Sequence, residues 1–322
     1  MKSYYNKVFT TSSPLFFVFL IVVLIIGFFA REPVSMPSTI AYSHIQALSK
    51  FGLSGNFIRS ASVFFVWTEF ILNMFTIIAI FALGKVIVGK TGGICAALLF
   101  AVYPYFSVNM YSINIYLILS FVLYLLFMYI GVQSMRKRWN FLSGVFFTIS
   151  LILEPTCLLL GLIPYIYFLI KQRHIAVLQA FLYFLVGIII TLGILIFIAY
   201  TKGNLSTLLP LDNYFTSLWN NTKRLFSEPL NYLTNTIVPY FNTFKHPKVT
   251  GTNSYLHYII ITLSVLGALY ALIQENVRIL AILLITMFFL AFFMTFEYSI
   301  VMIMLILLAG FMIDKVISDV IS

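Results

Sequence analysis

Long apolar runs separated by short polar links make up almost the whole chain. The runs fall at roughly 13–30, 62–88, 92–109, 112–133, 140–154, 156–170, 175–200, 255–273, 277–295 and 298–316. About 20 apolar residues are needed to cross a hydrocarbon core as a helix. The pattern therefore predicts an all-α polytopic membrane protein of roughly ten transmembrane helices. Several runs are shorter than that, which predicts broken, tilted or bundle-enclosed helices. The sequence shows no internal repeat, and residues 1–322 read as a single transmembrane domain.

Two longer polar segments interrupt the runs. In 31–61, Ser38 follows Pro37 and suits a helix cap. Ile40, Ala41, Ile45, Leu48 and Phe51 then recur at helical spacing, with Ser43, His44, Gln46 and Lys50 opposite. In 201–254, Tyr214, Leu218, Leu225, Phe226, Leu233 and Ile237 stand among polar residues, and Trp219, Tyr232 and Tyr240 suit the headgroup level. Both segments predict helices lying in the membrane interface.

Charge gives the pattern a direction. Arg136, Lys137 and Arg138 crowd one link, and Lys171 and Arg173 the link after next; those around 103–112 and at Glu154-Pro155 hold no basic residue. Such alternation marks cytoplasmic links. Ten spans with the N-terminus inside put Lys2, Lys7, Lys85, Lys90, Arg278 and Lys315 on the same side. Both termini are then cytoplasmic, and the expected location is the inner (cytoplasmic) membrane of a bacterium. The run 13–30 after Lys2 and Lys7 resembles a signal peptide. It is long, however, and Phe28-Phe29-Ala30 is a poor cleavage site, so it reads as an uncleaved first span.

Composition excludes a soluble protein: 62% of the 322 residues are hydrophobic and 9% charged, against about 45–50% and 25% in soluble domains. The net charge of +10 follows from topology and anionic lipid, and no nucleic-acid partner is expected. Cys95 and Cys157 are isolated in or beside apolar runs and carry no disulfide or zinc signal. No metal or cofactor is expected. Residues 84–91, Gly84 through Gly89-Lys90-Thr91, satisfy the Walker A pattern. A phosphate loop needs a strand before it and room for a nucleotide. Here it joins two membrane runs, so it reads as a cytoplasmic turn, with no nucleotide at Gly84–Thr91.

The topology sorts nine acidic residues. Glu275, Asp314 and Asp319 fall inside; Glu32, Glu154, Asp212, Glu228 and Glu297 fall outside. Glu69 lies about two turns inside the second span, where an ionisable group is expensive and faces a cavity or a partner. Glu154 and Glu297 stand at the mouths of otherwise uncharged helix pairs. The bundle can gather these carboxylates around one outward cavity; alternatively each is a solvated loop acid. Among the outer cations Arg31, Lys50, Arg59, Lys202, Lys223, Arg224, Lys245 and Lys248, Arg31 and Lys202 directly adjoin spans. They suit a lipid-linked phosphate, or the phosphates of ordinary lipids.

Three stretches resemble one family. Gly84-Lys85 closing a span, then Gly92-Gly93, Ala96-Ala97-Leu98-Leu99 and Tyr103-Pro104, is similar to a stretch of the GT-C glycosyltransferases of the protein-mannosyltransferase and aminoarabinose-transferase type. Residues 143–163, with Gly144, Leu153, Pro155 and Leu158–Leu160, resemble a second. Glu297-Tyr298 followed by 305–310 resembles the family's closing span. The resemblance implies transfer of a sugar from a polyprenyl-phosphate carrier, at the outer face, to a lipid, glycan or protein acceptor. It also implies an acid in the first outer loop that acts as base or orients the reaction. With Tyr42 as the family's loop tyrosine, Ser38 and Thr39 occupy the positions of its usual acidic pair, which leaves Glu32. Glu154 and Glu297 stand where the family has arginines, and the C-terminal soluble domain of longer members is not expected.

Glu32 is accordingly the expected base, with Glu69 and Glu154 in support. Arg31 and Lys202 are the expected donor-phosphate ligands, and Tyr42, Arg59 and Glu297 complete the substrate-binding set. The expected partners are a lipid-linked sugar donor and membrane lipids. The rival readings are a transporter or flippase of a lipid-linked saccharide, and a non-catalytic partner in envelope glycan assembly.

Overall fold

The structure is a computed structural model. It describes residues 14–30, 45, 48–51, 53–103, 106, 114–172, 175–201, 211–245, 254–275, 277–291, 293 and 298–321. In chain order the helices are α1 (Pro14–Ala30), α2 (Gly55–Ser60), α3 (Ser62–Ile87), α4 (Lys90–Val102), α5 (Ile115–Ser134), α6 (Lys137–Leu153), α7 (Cys157–Gln172) and α8 (Ile175–Thr201). There follow α9 (Leu211–Ser227), α10 (Pro229–Tyr232), a π-helical turn (Leu233–Ile237), α11 (Val238–Lys245), α12 (Ser254–Ala271), α13 (Arg278–Leu290) and α14 (Tyr298–Ile321). Among the described residues there is no strand. Among the described residues, Val63–Ile87, Ile115–Ser134, Val177–Thr201 and Ser299–Val320 can cross a membrane by length and composition, and five shorter helices are also apolar. The protein is an all-α membrane protein.

Two helices end for the same local reason. A residue before proline is pushed out of the helical region into extended backbone. Tyr103, before Pro104, caps α4 at φ −67°, ψ 120°. Glu154, before Pro155, caps α6 at φ −142°, ψ 100°. The third apolar run thus stops being α4 at Val102, although apolar character continues toward 109.

The core is layered around two helices. Ser299 to Phe311 of α14 is buried without a break, and most of α5 is buried too. α4 lies between α3 and α14, α6 between α5 and α8, while α1 and α8 keep much of their surface exposed. Small residues allow the closest approaches, because lipid chains give helices no hydrophobic reason to associate and packing must supply it. A Cβ on Gly93 would lie 2.6 Å from the Lys85 nitrogen, and one on Gly310 would lie 2.7 Å from the Gly92 carbonyl. Gly144 and Gly187 do the same for α6 against α8.

The turns gather at two ends of the bundle. One end is lysine-rich: Lys85 and Lys90 flank the α3–α4 turn, Arg136, Lys137 and Arg138 stand at the start of α6, and Lys171 is in the last turn of α7. There Lys171 bridges to Glu275 in the α12–α13 turn at 2.9 Å, and its ammonium holds that carboxyl below the usual range. Arg278 donates to the carbonyls of Leu272 and Ile273 (2.7 and 3.2 Å), closing the end of α12. The opposite end holds Glu154, Tyr103 and the starts of α3, α5 and α12.

Candidate functional site

The site builds from α2 upward. Ser54 caps α2, accepting from the Phe57 N–H at 3.3 Å. That places Ile58 beneath Leu48 and Phe65, a small cluster with Tyr116 on its edge. Asn114 caps α5 by accepting from the Leu117 N–H at 3.2 Å, which sets Tyr116 in the first turn. The Tyr116 hydroxyl donates to Oε1 of Glu69 at 3.4 Å. Glu69, two turns into α3, is only 2% exposed. The expectation that this carboxylate faces inward agrees with its position.

A second pair of groups lies alongside. The sequence pattern puts Lys50 on the polar side of its helix. Instead it is half-buried, and its ammonium donates to the carbonyls of Ile152 and Leu153, 3.0 Å from each. A cation on the last carbonyls of a helix satisfies orphan acceptors and suits the negative end of the dipole. Burial lowers the Lys50 pKa, and the Glu154 carboxylate partly restores it. Glu154 Oε1 accepts from the Thr156 hydroxyl at 2.8 Å across Pro155. Phe51, next to Lys50, packs on both the main core and the Ile152–Ala199 pair. The segment after α1 is thereby fastened to the α6–α7 turn, and the same segment carries the cluster that supports Tyr116.

The structure brings together Glu69 and Tyr116, and Lys50 with Glu154. Arg59 is exposed on the last turn of α2. Arg31, Glu32, Tyr42, Lys202 and Glu297 lie outside the described residues, as do the expected cap Ser38 and its neighbour Thr39.

One buried polar pair was not singled out by the sequence reading. Tyr103, at the end of α4, and His257, in the first turn of α12, are each 1% exposed. The Tyr103 hydroxyl and His257 Nδ1 are hydrogen-bonded at 2.5 Å, with the rings stacked at 5.9 Å. The available signal was a histidine at the head of an apolar run, since ionisable groups at membrane depth take partners.

At the lysine-rich end, the Walker-like turn has a different occupant. Gly89 sits at φ 133°, in a region that suits glycine. Asp314, from α14, accepts from the Thr91 side chain and the Gly92 N–H at the start of α4. The helix N-terminus that a phosphate loop would offer to an anion is taken by a carboxylate of the same chain.

Residues 51–198 match the pattern of the dolichyl-phosphate-mannose-protein mannosyltransferase family. The match begins before α2, runs through α3 to α7, and ends within α8, so it contains Glu69, Tyr116 and Glu154 and starts one residue after Lys50. The matched segment, a little under half of the chain, is similar to this family of membrane glycosyltransferases. No curated protein matches the chain. The Gly92–Leu99 stretch within the match is the packing surface of α4, with Gly93 against α3 and Gly92 and Ala96 against Gly310.

Proposed function

We propose that the protein transfers a sugar from a polyprenyl-phosphate donor to a lipid, glycan or protein acceptor, at the Glu154 end of the bundle. By the charge pattern that end is the outer face of the cytoplasmic membrane. The observation that carries the proposal is Glu69: a carboxylate two turns inside a span, held by Tyr116, within the family-matched segment. Glycosyl transfer needs a group that takes the acceptor hydroxyl proton and cations that stabilise the departing phosphate. In this reading Glu69 and Glu32 share the first role, with Glu154 setting the position of Lys50. Lys50, Arg31 and Lys202 supply positive charge, with Tyr42, Arg59 and Glu297 around the donor. The membrane delivers the lipid-linked donor in two dimensions, which lowers the entropic cost of positioning. The match names mannose on dolichyl phosphate and a protein acceptor for its family; for this chain the sugar and acceptor are left open.

The test is transfer of labelled sugar from a polyprenyl phosphate by purified protein in nanodiscs. Glu32→Gln, Glu69→Gln and Glu154→Gln are compared with the parent chain. We expect Glu69→Gln to lose about 10²- to 10⁴-fold, the usual contribution of an acid–base group. Full activity in all three variants would sink the site.

A further inference from the structure

Helix α7 carries a proline in its interior, Pro164, about one turn after Gly161. Such a proline cannot donate to the carbonyl one turn back, here that of Leu160, and its ring crowds that carbonyl. Sharp bends in helices occur at these prolines. Within a membrane, neighbouring side chains supply the lost bonding. The neighbour in this bundle is α5: the buried Tyr124 hydroxyl donates to the Gly161 carbonyl at 2.7 Å. Gly161 has no room for a Cβ, because the Phe147 ring of α6 fills that space.

The two arms of α7 are held differently. The arm after the proline is tied to three elements. Tyr165 donates to Asn140 and Ser143 of α6, at 3.4 Å each, and its ring lies 4.5 Å from Phe184 of α8. Tyr167 donates to the Glu275 carbonyl at 3.4 Å, and Lys171 pairs with the Glu275 side chain. The arm before the proline, 157–163, reads Cys-Leu-Leu-Leu-Gly-Leu-Ile and has no charged or hydroxyl group for such ties. It leads straight into Thr156, which holds Glu154 at 2.8 Å, and so into the corner that seats Lys50. We propose that α7 is a hinge. Its inner arm is fixed, and its outer arm swings about Gly161 and Pro164 with the Tyr124 hydroxyl as the catch. The swing moves Thr156 and Glu154, and with them the seat of Lys50. It thereby opens and closes that corner to a polyprenyl-phosphate donor, and in this it rests on the reading of the corner as part of the donor site.

The experiment measures distances between spin labels by double electron–electron resonance, in nanodiscs, on a chain carrying Cys95→Ser and Cys157→Ala. Leu158→Cys with Tyr200→Cys spans the outer ends of α7 and α8. Ile170→Cys with Leu178→Cys spans their inner ends. The outer pair should give two distances and shift toward one of them when polyprenyl phosphate is added, while the inner pair stays single and unmoved. Tyr124→Phe keeps the ring beside Phe147 and Phe184, at 5.3 and 6.2 Å. Losing the hydroxyl should change the ratio of the two outer distances by about fivefold, the usual net weight of one hydrogen bond. Pro164→Ala should collapse the outer pair to one distance. Outer distances that ignore polyprenyl phosphate overturn the proposal, and so do inner distances that change as much as the outer ones. The readout needs no turnover. Outer distances that respond in a chain that transfers no sugar leave the hinge standing and remove the transfer reading instead.

Discussion

A carboxylate at the depth of Glu69 is costly unless neighbours compensate, and the Tyr116 hydroxyl, 3.4 Å away, is one neighbour that does. If the carboxylate does chemistry, the two side chains should behave differently. Tyr116→Phe removes one donor while leaving the carboxylate, so transfer should fall by about tenfold or less, on the order of a 1 kcal/mol bond. Glu69→Gln should lose far more, with little change in thermal stability; equal losses in the two variants would make Glu69 a packing residue. Lys50 offers a pH test. Its folded pKa is lowered chiefly by burial, so its charge disappears at lower pH than that of an exposed lysine. Transfer should therefore show an alkaline limb below the ordinary lysine range, and Lys50→Arg, whose guanidinium stays charged, should move that limb upward. Stability runs the other way. Between the lowered folded pKa and the ordinary unfolded one the unfolded chain binds more protons, so this group makes the fold more stable as pH rises. Thermal midpoints falling in step with activity across that window would contradict the assignment.

Helix contacts in this bundle depend on where side chains are missing. α8 contains two glycines with opposite surroundings. A Cβ on Gly187 would lie 2.3 Å from the Phe141 carbonyl, whereas one on Gly193 meets nothing within 4 Å. Gly187→Ala must push α8 from α6 and should cost about 1–3 kcal/mol, as overpacking does. Gly193→Ala should be neutral or stabilising by up to about 1 kcal/mol, since alanine favours the helix. Detergent melting curves of the two variants decide this, and equal effects would contradict the close α6–α8 packing. These elements also show what the sequence made legible. Runs of apolar residues and the proline at 155 are local signals, so helix existence and the stop of α6 could be read directly. The third run was read without a break through Pro104 because hydropathy continues past Val102, whereas the backbone at Tyr103 leaves the helix. Lys50 was misread for a different reason. Helical spacing places it opposite the apolar positions, but nothing local reveals that the end of α6, about a hundred residues on, supplies carbonyls for it. The Tyr103–His257 pair joins α4 to α12 and was hidden by the same non-locality, whereas Glu69 stood out because one charge within an apolar run is conspicuous unaided.

At the scale of the molecule, the two ends of the bundle differ in how their charges are used. At the lysine-rich end, Asp314 is spent on the start of α4, Glu275 on Lys171, and Asp319 on Lys315 at 2.6 Å; the carboxylates there serve helix ends and ion pairs. At the opposite end Glu69 and Glu154 are held by hydroxyl groups, and Lys50 by backbone carbonyls. A carboxylate bonded to a hydroxyl keeps acceptor capacity for a substrate proton, which an ion-paired one has partly given up. If the lysine-rich end is cytoplasmic, as the positive-inside pattern requires, the chemistry faces outward. That orientation is open to direct measurement. Ser134→Cys at the lysine-rich end and Ser60→Cys at the end of α2 each add one thiol to a chain whose native Cys157 is buried and Cys95 partly buried. In intact cells a membrane-impermeant maleimide should label Ser60→Cys, and should label Ser134→Cys only after permeabilisation, with the parent chain giving the background. The reverse pattern would turn the bundle over. Glu69, Tyr116 and Lys50 would then face the cytoplasm, and the donor would have to be a carrier exposed on that side.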